Sequence, residues 1–567
     1  MPTIADKLAG LWPEIVMLLG AAACLASGLS AQAALRRITP WIAGGAMALA
    51  WVLTLWTGVD ANHPLGLGGM VSFVKCLILA LGIVLLLVCA GVPEALKQTR
   101  AADDGVAGFN PGLSVRGEFY CFFLLSITGV MLTAGATDLV WLFLALELTS
   151  LPTYVMIAIT RDRTVAHESA VKYFFLGALS AATFLYGFAL IYGATGFTEF
   201  GPIRDAIAVS ADTGLSDPSP LMLLGVVLAV LGLCFKVAAV PMHVYTADVY
   251  QGAATPVTAF LAVVPKAAGF AALILILHLL GLDRLPEPVL YLLGAIGVLT
   301  MTVGNVLAFI QTNLKRVMAY SSVANSGYMM LGLMAGLGVP GNALGSGPAA
   351  VLFFLLVYGF GSVGAFSVIA SLQAQRSAGD QPEDQMATGV ADDLEYDDLA
   401  GLWWRSPVLG GVLLVSMLSL VGMPPLAGFA GKFFLIGGVL SAGFYGLVVV
   451  LVINSAISAG YYLRIAMLTF FGESSNAPAE ILPAGRHGPR VVGALVAGIA
   501  GLVVGGLPGN GIVKNARQAF EPVAVEPSAA PEPAGVGSQA SSAQPDAATG
   551  PEGDGAVAQG DRAAASH

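Results

Sequence analysis

The sequence predicts an all-α polytopic membrane protein of about fourteen transmembrane helices, arranged as two inverted five-helix repeats with broken seventh and twelfth helices. Three observations lead there. Apolar runs of the length that crosses a bilayer core near 30 Å recur along the chain. Of the 567 residues, 57% are hydrophobic and 11% charged, whereas soluble domains carry about 25% charged residues. Finally, a lysine lies beside a proline interruption once in each half, a pattern that marks ion sites in transporters built from repeats.

The apolar runs fall at about 11–28, 40–58, 71–92, 117–135, 138–159, 169–193, 220–245, 254–280, 287–310, 315–336, 347–372, 406–440, 443–470 and 491–508. No short charged segment with a cleavage site opens the chain, so no removed signal peptide is expected. Loop charges test the count. With the N-terminus outside, the loops predicted to face the cytoplasm hold Arg36, Arg37, Lys97, Arg100, Arg116, Arg161, Arg163, Lys315, Arg316, Arg376, Arg405, Arg486 and Arg490. The outer loops hold only Arg204 and Arg284. This asymmetry follows the positive-inside rule and places both termini outside, on the periplasmic side of a cell inner (plasma) membrane.

Two runs do not fit one straight helix. Residues 406–440 would extend about 52 Å as a helix, well beyond the hydrocarbon core. Pro424, Pro425, Gly428 and Gly431 interrupt that run, with Lys432 just past the interruption. The seventh run carries Lys236 and then Pro241, and continues into His243 and Asp248. Lys236 and Lys432 are 196 residues apart (432 − 236).

These features divide the chain into an N-terminal three-helix segment (1–116), a first repeat (117–280), a second repeat (281–470), a last helix (471–520) and a tail (521–567). The second repeat includes an acidic loop at 376–400, which holds Asp380, Glu383, Asp384, Asp392, Asp393, Glu395, Asp397 and Asp398. The loop reads as a solvated segment, with a partner-docking surface as the alternative. The tail is rich in Ala, Pro, Gly and Ser; it cannot build a core and reads as disordered.

Glu147, Lys236, Lys266 and Lys432 lie inside apolar runs. A charge at the bilayer centre costs roughly 2.5–3.5 kcal/mol on insertion scales, so four cost on the order of 10 kcal/mol. That expense points to a function, and a chain of buried ionisable groups is what proton translocation requires. A desolvated lysine releases its proton readily, and an approaching carboxylate restores it. Glu147 is the natural partner of Lys236, while Lys266 and Lys432 extend the line. A static pair that fixes helix packing is the alternative for Glu147 and Lys236.

His243, Lys172 and Tyr328 are secondary relay candidates. Lys75 and Lys172 lie nearer span ends, where long side chains snorkel. Glu14 and His278 read as structural, and Arg464 as a helix anchor.

Cys24, Cys76, Cys89, Cys121 and Cys234 form no paired motif and read as small core residues. Neither a P-loop, a dinucleotide glycine fingerprint, a zinc-protease motif nor a nucleophile elbow is present. The chain therefore has no visible means of oxidising, hydrolysing or binding nucleotide by itself. No cofactor, metal or nucleic-acid partner is expected in it, and its energy comes from a gradient or from partners.

Several stretches resemble the antiporter-like subunits of respiratory complex I. Phe235-Lys236-Val237-Ala238-Ala239-Val240-Pro241-Met242-His243, with Asp248-Val249-Tyr250-Gln251-Gly252-Ala253, is similar to that family's seventh-helix signature. Gln311-Thr312-Asn313-Leu314-Lys315-Arg316 through Ser322 matches another signature, and Gly422-Met423-Pro424-Pro425 through Phe433 resembles the broken twelfth helix. Leu146-Glu147-Leu148 and Glu168-Ser169-Ala170-Val171-Lys172 fit the fifth and sixth helices. The likeness spans about residues 10–510. The lysine at 432 and the lack of a long C-terminal lateral helix favour the subunit N branch.

The resemblance implies a proton-pumping membrane-arm subunit of NADH–quinone oxidoreductase. It implies Glu147 and Lys236 as a charge pair, Lys266 as the central relay and Lys432 as the site toward the exit. NADH, FMN, iron–sulfur clusters and quinone would reside in partner subunits; other membrane-arm subunits and the lipid bilayer would surround this chain. Asn325 stands where many relatives have histidine, and Tyr245 and Ala247 replace a common Trp and Pro. The long tail is not a general feature of the family. Two rival readings are a subunit of a multi-subunit sodium/proton antiporter and a structural membrane spacer.

Overall fold

The computed structural model describes residues 10–30, 32–58, 63–89, 116–160, 164–212, 218–282, 285–337, 346–376, 393–472, 488–506 and 520. Lys97, Arg100, Arg161, Arg163, Arg284, Arg486, most of the acidic loop and the tail lie outside them.

Helices account for the described architecture. The N-terminal segment holds α1 (Trp12–Gly28), α2 (Ala33–Thr57) and α3 (Gly68–Cys89). Then come α4 (Arg116–Ala134), α5 (Leu139–Ile159), α6 (Thr164–Thr195), the short α7 (Phe200–Asp212), α8 (Pro220–Lys236), α9 (Thr246–Gly252) and α10 (Thr255–Leu279). The remainder is α11 (Glu287–Ile310), α12 (Leu314–Leu333), α13 (Gly347–Arg376), α14 (Leu402–Arg405), α15 (Pro407–Val421), α16 (Ala427–Ser441), α17 (Tyr445–Phe471) and α18 (Gly488–Gly506). Among the described residues, nine helices are long and apolar enough to cross a membrane, and shorter apolar helices accompany them.

Local chemistry sets the helix starts. The Asp138 carboxylate accepts from the Trp141 amide at 2.7 Å and caps α5. Ser219 caps α8 by accepting from the Met222 amide at 3.2 Å, with Pro220 in the first turn. Asn313 caps α12 by accepting from the Lys315 and Arg316 amides.

The same device joins two helix pairs. Asp138, before α5, bridges to Glu199, after α6; Asn313, before α12, bridges to Glu395, after α13. The Leu139 amide donates to the Thr198 carbonyl, and the Leu314 amide to the Leu394 carbonyl. Glu199 and Glu395 are 196 residues apart (395 − 199), the spacing that separates Lys236 from Lys432.

Both expected interruptions are present. At the first, α8 ends at Lys236, Ala238 takes a left-handed φ of 56°, and the chain re-enters a helix only at Thr246. At the second, α15 ends at Val421, Gly422 has φ 88°, and α16 begins at Ala427. The Val240–Pro241 and Pro424–Pro425 peptides are cis.

Packing places α10 and α13 at the centre. Every residue of α10 is buried, including Lys266 and His278. Close approach elsewhere depends on small residues: a Cβ on Gly187 of α6 would lie 2.6 Å from the Ala229 amide nitrogen of α8. Helices in lipid gain contact in this way because no hydrophobic effect drives them together. The outer faces are apolar; Trp41 and Trp56 of α2 are more than four-fifths exposed, as lipid-facing residues can be. The five cysteines are free thiols.

Candidate functional site

The break after Lys236 makes the first half of the site. Lys236 closes α8, and its side chain points to α5, where Leu146, Glu147 and Ser150 lie within about one turn. The ammonium donates to the Leu146 carbonyl at 3.3 Å, to Glu147 Oε1 at 3.2 Å and to the Ser150 hydroxyl. It also lies 5.7 Å from the Phe184 ring centre. Lys236 is 2% exposed, and among the described residues the Glu147 carboxylate is its one ionic partner. The structure thus joins these two predicted residues directly.

Lys266 lies midway along α10. Its ammonium donates to the Ser322 carbonyl and, at 2.7 Å, to the Ser326 hydroxyl, both on α12. Ser326 in turn donates to the Val237 carbonyl at 2.5 Å. One hydroxyl therefore links Lys266 to the peptide that follows Lys236. The Tyr358 ring of α13 lies 5.3 Å from the Lys266 ammonium.

Lys432 lies on α16, one turn beyond the second break. Its ammonium donates to the Val421 carbonyl at 2.8 Å, one of the carbonyls that the end of α15 leaves without a helical partner. It also donates to Ser455 Oγ on α17 at 3.2 Å and lies 5.3 Å from the Tyr328 ring centre. Among the described residues, no ion pair involves Lys266 or Lys432.

The secondary candidates divide. Tyr328 belongs with the buried line through its contact with Lys432. Lys172 is 44% exposed on its side chain and pairs with Glu168 at 2.7 Å and Asp248 at 3.1 Å. Asp248 also holds Arg316 at 2.9 Å. This ionic cluster ties α6, α9 and α12 together apart from the Lys236 pair. His243 is half-buried in the turn after the first break, and its carbonyl accepts from the Thr246 amide. No hydrogen bond among the described residues joins its ring to the lysines.

One expectation about a single charge changes. Lys75 does not snorkel: it is buried, and its ammonium meets Glu14 Oε1 at 2.7 Å between α3 and α1. Each residue had satisfied a helix-end reading alone, and only the fold shows that they meet. Arg464 stacks its guanidinium 4.3 Å from the Tyr396 ring centre, fastening the short 3₁₀ helix Tyr396–Leu399 to α17.

The sequence reading missed the polar groups between Lys266 and Lys432. Asn305, Asn454, Tyr461 and Tyr462 are all buried there. Two carboxamides inside apolar runs and a consecutive tyrosine pair were the available signals.

Comparisons with known proteins identify the family of this chain. Residues 136–458 match the family profile described as "NADH:quinone oxidoreductase/Mrp antiporter, TM". A protein of Trichlorobacter lovleyi named NADH-quinone oxidoreductase subunit N is 39% identical over 413 residues, covering 71% of this chain and 77% of that protein. A chain of respiratory complex I from Thermus thermophilus is 31% identical with a TM-score of 0.67, over 88% of this chain and 98% of the other. A chain of an Mrp complex from a Dietzia species has a TM-score of 0.69 at 20% identity, over 89% and 96% of the two chains, a likeness of fold alone.

Proposed function

Since this chain belongs to the NADH-quinone oxidoreductase subunit N family, proton-translocating subunits of the complex I membrane arm, we propose that Glu147, Lys236, Lys266 and Lys432 form its proton relay. The observation that carries this reading is the Ser326 hydroxyl, which accepts from Lys266 and donates to the Val237 carbonyl next to Lys236. One hydroxyl thereby joins the Lys266 ammonium to the backbone of the break that follows Lys236, inside a membrane where unpartnered charge is costly.

Lys236 is loaded when Glu147 is close and ionised; withdrawal of that carboxylate favours proton release toward Lys266. Lys432 receives the proton at the second break and passes it to the exit side. NADH oxidation and quinone reduction occur in partner subunits, where the NADH, FMN, iron–sulfur clusters and quinone belong. Other membrane-arm subunits transmit that energy to this chain.

The arrangement in the bilayer follows from the same reading. The chain crosses a cell inner membrane about fourteen times with both termini outside. Residues 117–280 and 281–470 form two repeats, supported by the matched Asp138–Glu199 and Asn313–Glu395 bridges. Lys172 and His243 act at the rim, as neither touches the buried line.

The test is Lys236→Ala in the assembled complex. NADH-driven proton uptake into inverted vesicles is expected to fall while the complex still assembles. Uptake at the wild-type level would remove Lys236 from the relay.

A further inference from the structure

The break after Lys236 interrupts a helix inside the membrane, so its peptide groups need partners that a continuous helix would have supplied. Part of that need is met locally. The Val237, Ala238 and Ala239 amides donate back to the Leu233, Phe235 and Cys234 carbonyls. Three side-chain hydroxyls from three other places meet more of it. Tyr245, in the turn before α9, donates to the Phe235 carbonyl at 2.8 Å. Ser326 of α12 donates to the Val237 carbonyl. Thr300 of α11 accepts from the Val240 amide at 2.9 Å. Thr300 is fully buried and Tyr245 is buried.

The second break is built differently. Among the described residues, the hydrogen bonds to the backbone of residues 422–428 come from within residues 418–432. That break carries its own fastening, whereas the first is also fastened from α11 and α12. Tyr245 adds an aromatic wedge. Its ring centre lies 4.5 Å from that of Phe235 on α8 and 5.0 Å from that of Tyr173 on α6, and Tyr173 stacks on Phe235 at 5.4 Å. Lys236 therefore lies between two fastened peptide groups, one at Phe235 and one at Val240.

We propose that Thr300 and Tyr245 are positioning residues for Lys236: their hydroxyls fix the unwound segment on either side of it and hold its ammonium within reach of Glu147. The proposal rests on the relay reading above, and it assigns no proton transfer to either hydroxyl. A lysine at the end of a helix otherwise shares in the fraying of the last turn. Its contact with Glu147 spans two helices at 3.2 Å, and misplacement by about 1 Å can slow a reaction step roughly a hundredfold. Thr300→Val keeps the shape of the side chain and takes the acceptor from the Val240 amide. Tyr245→Phe keeps the stacked ring and takes the phenol from the Phe235 carbonyl.

The experiment measures NADH-driven proton uptake into inverted vesicles, per assembled complex, for Thr300→Val, Thr300→Ser and Tyr245→Phe. Thr300→Val and Tyr245→Phe are each expected to lower it several-fold. Thr300→Ser, which keeps the hydroxyl and loses the methyl, is expected to stay near the wild-type value. A threonine that only fills space gives the opposite order, with valine tolerated and serine impaired. That order overturns the proposal, and so does wild-type uptake in both Thr300→Val and Tyr245→Phe. Should Thr300→Val not assemble, Tyr245→Phe decides alone: a several-fold loss per complex supports the proposal and wild-type uptake overturns it. Lys236→Ala separates the two levels. Impaired uptake there with wild-type uptake in both hydroxyl variants refutes the positioning role alone, whereas wild-type uptake in Lys236→Ala refutes the relay reading itself.

Discussion

Lys236 and Glu147 meet across two helices, Nζ to Oε1 at 3.2 Å, at the point where α8 stops being a helix. The break and the ion pair are one feature. The lysine ends the helix, and the carboxylate with two further acceptors on α5 takes its three ammonium hydrogens. An ammonium has three donors and here each has an acceptor.

Removing the carboxylate charge should therefore stall the first transfer. Glu147→Gln preserves size but leaves Lys236 without an anion, and breaking a buried pair in this way costs about 3–5 kcal/mol if the remaining group stays charged. The expected outcome is a several-fold fall in NADH-driven proton uptake in inverted vesicles. Wild-type uptake would show that the pair is only a packing element.

The Glu14–Lys75 pair should contribute to assembly rather than to pumping. Both side chains are at most 10% exposed, so Lys75→Met leaves a buried carboxylate unpaired and destabilises by about 3–5 kcal/mol. Thermal melting of the purified complex should drop, and Glu14→Met combined with Lys75→Met should restore most of it. A double variant as unstable as the single one would contradict this account.

The second break should tolerate no side chain at Gly428. A Cβ there would lie 1.6 Å from the Ser419 carbonyl oxygen, and the Gly428 amide donates to Ser419 Oγ at 3.2 Å. Gly428→Ala must push α16 away from α15 and displace Lys432. The measurement is recovery of the assembled complex on a native gel, expected to be strongly reduced; normal recovery with full uptake would refute the prediction.

The exposed Arg464 over the buried Tyr396 ring makes a fastening that should be modest in size. A cation over an aromatic ring is worth about 0.5–1 kcal/mol at exposed sites. Tyr396→Leu should speed hydrogen exchange in residues 393–405, while Tyr396→Phe, which keeps the ring, should not. Equal exchange in the two variants would assign the fastening to other contacts.

Much of the fold was legible because the bilayer imposes a length on every crossing and proline imposes a break. Each apolar run predicted from sequence has a helix in the structure, and both interruptions fall beside the lysines at 236 and 432. The Glu147–Lys236 partnership was legible for a related reason: a carboxylate and an ammonium buried in separate spans each need a counter-charge. Lys75 and Glu14 obeyed the same need, but their positions near span ends allowed each to be satisfied by water, so sequence gave no reason to pair them.

What the sequence determined by itself is the inventory of helices, breaks and buried charges, since these depend on composition and local stereochemistry along one chain. Which groups meet was decided only by tertiary packing. Ser326 gains its place between Lys266 and Val237 because α12 packs against α10 and the end of α8. Tyr461 and Tyr462 face α11 and α12 because α17 crosses them there. Hydroxyls and carboxamides are common in helices and carry no charge to reveal them in a sequence. Their bonds require angstrom-scale convergence of residues more than a hundred positions apart, which only the assembled helices provide.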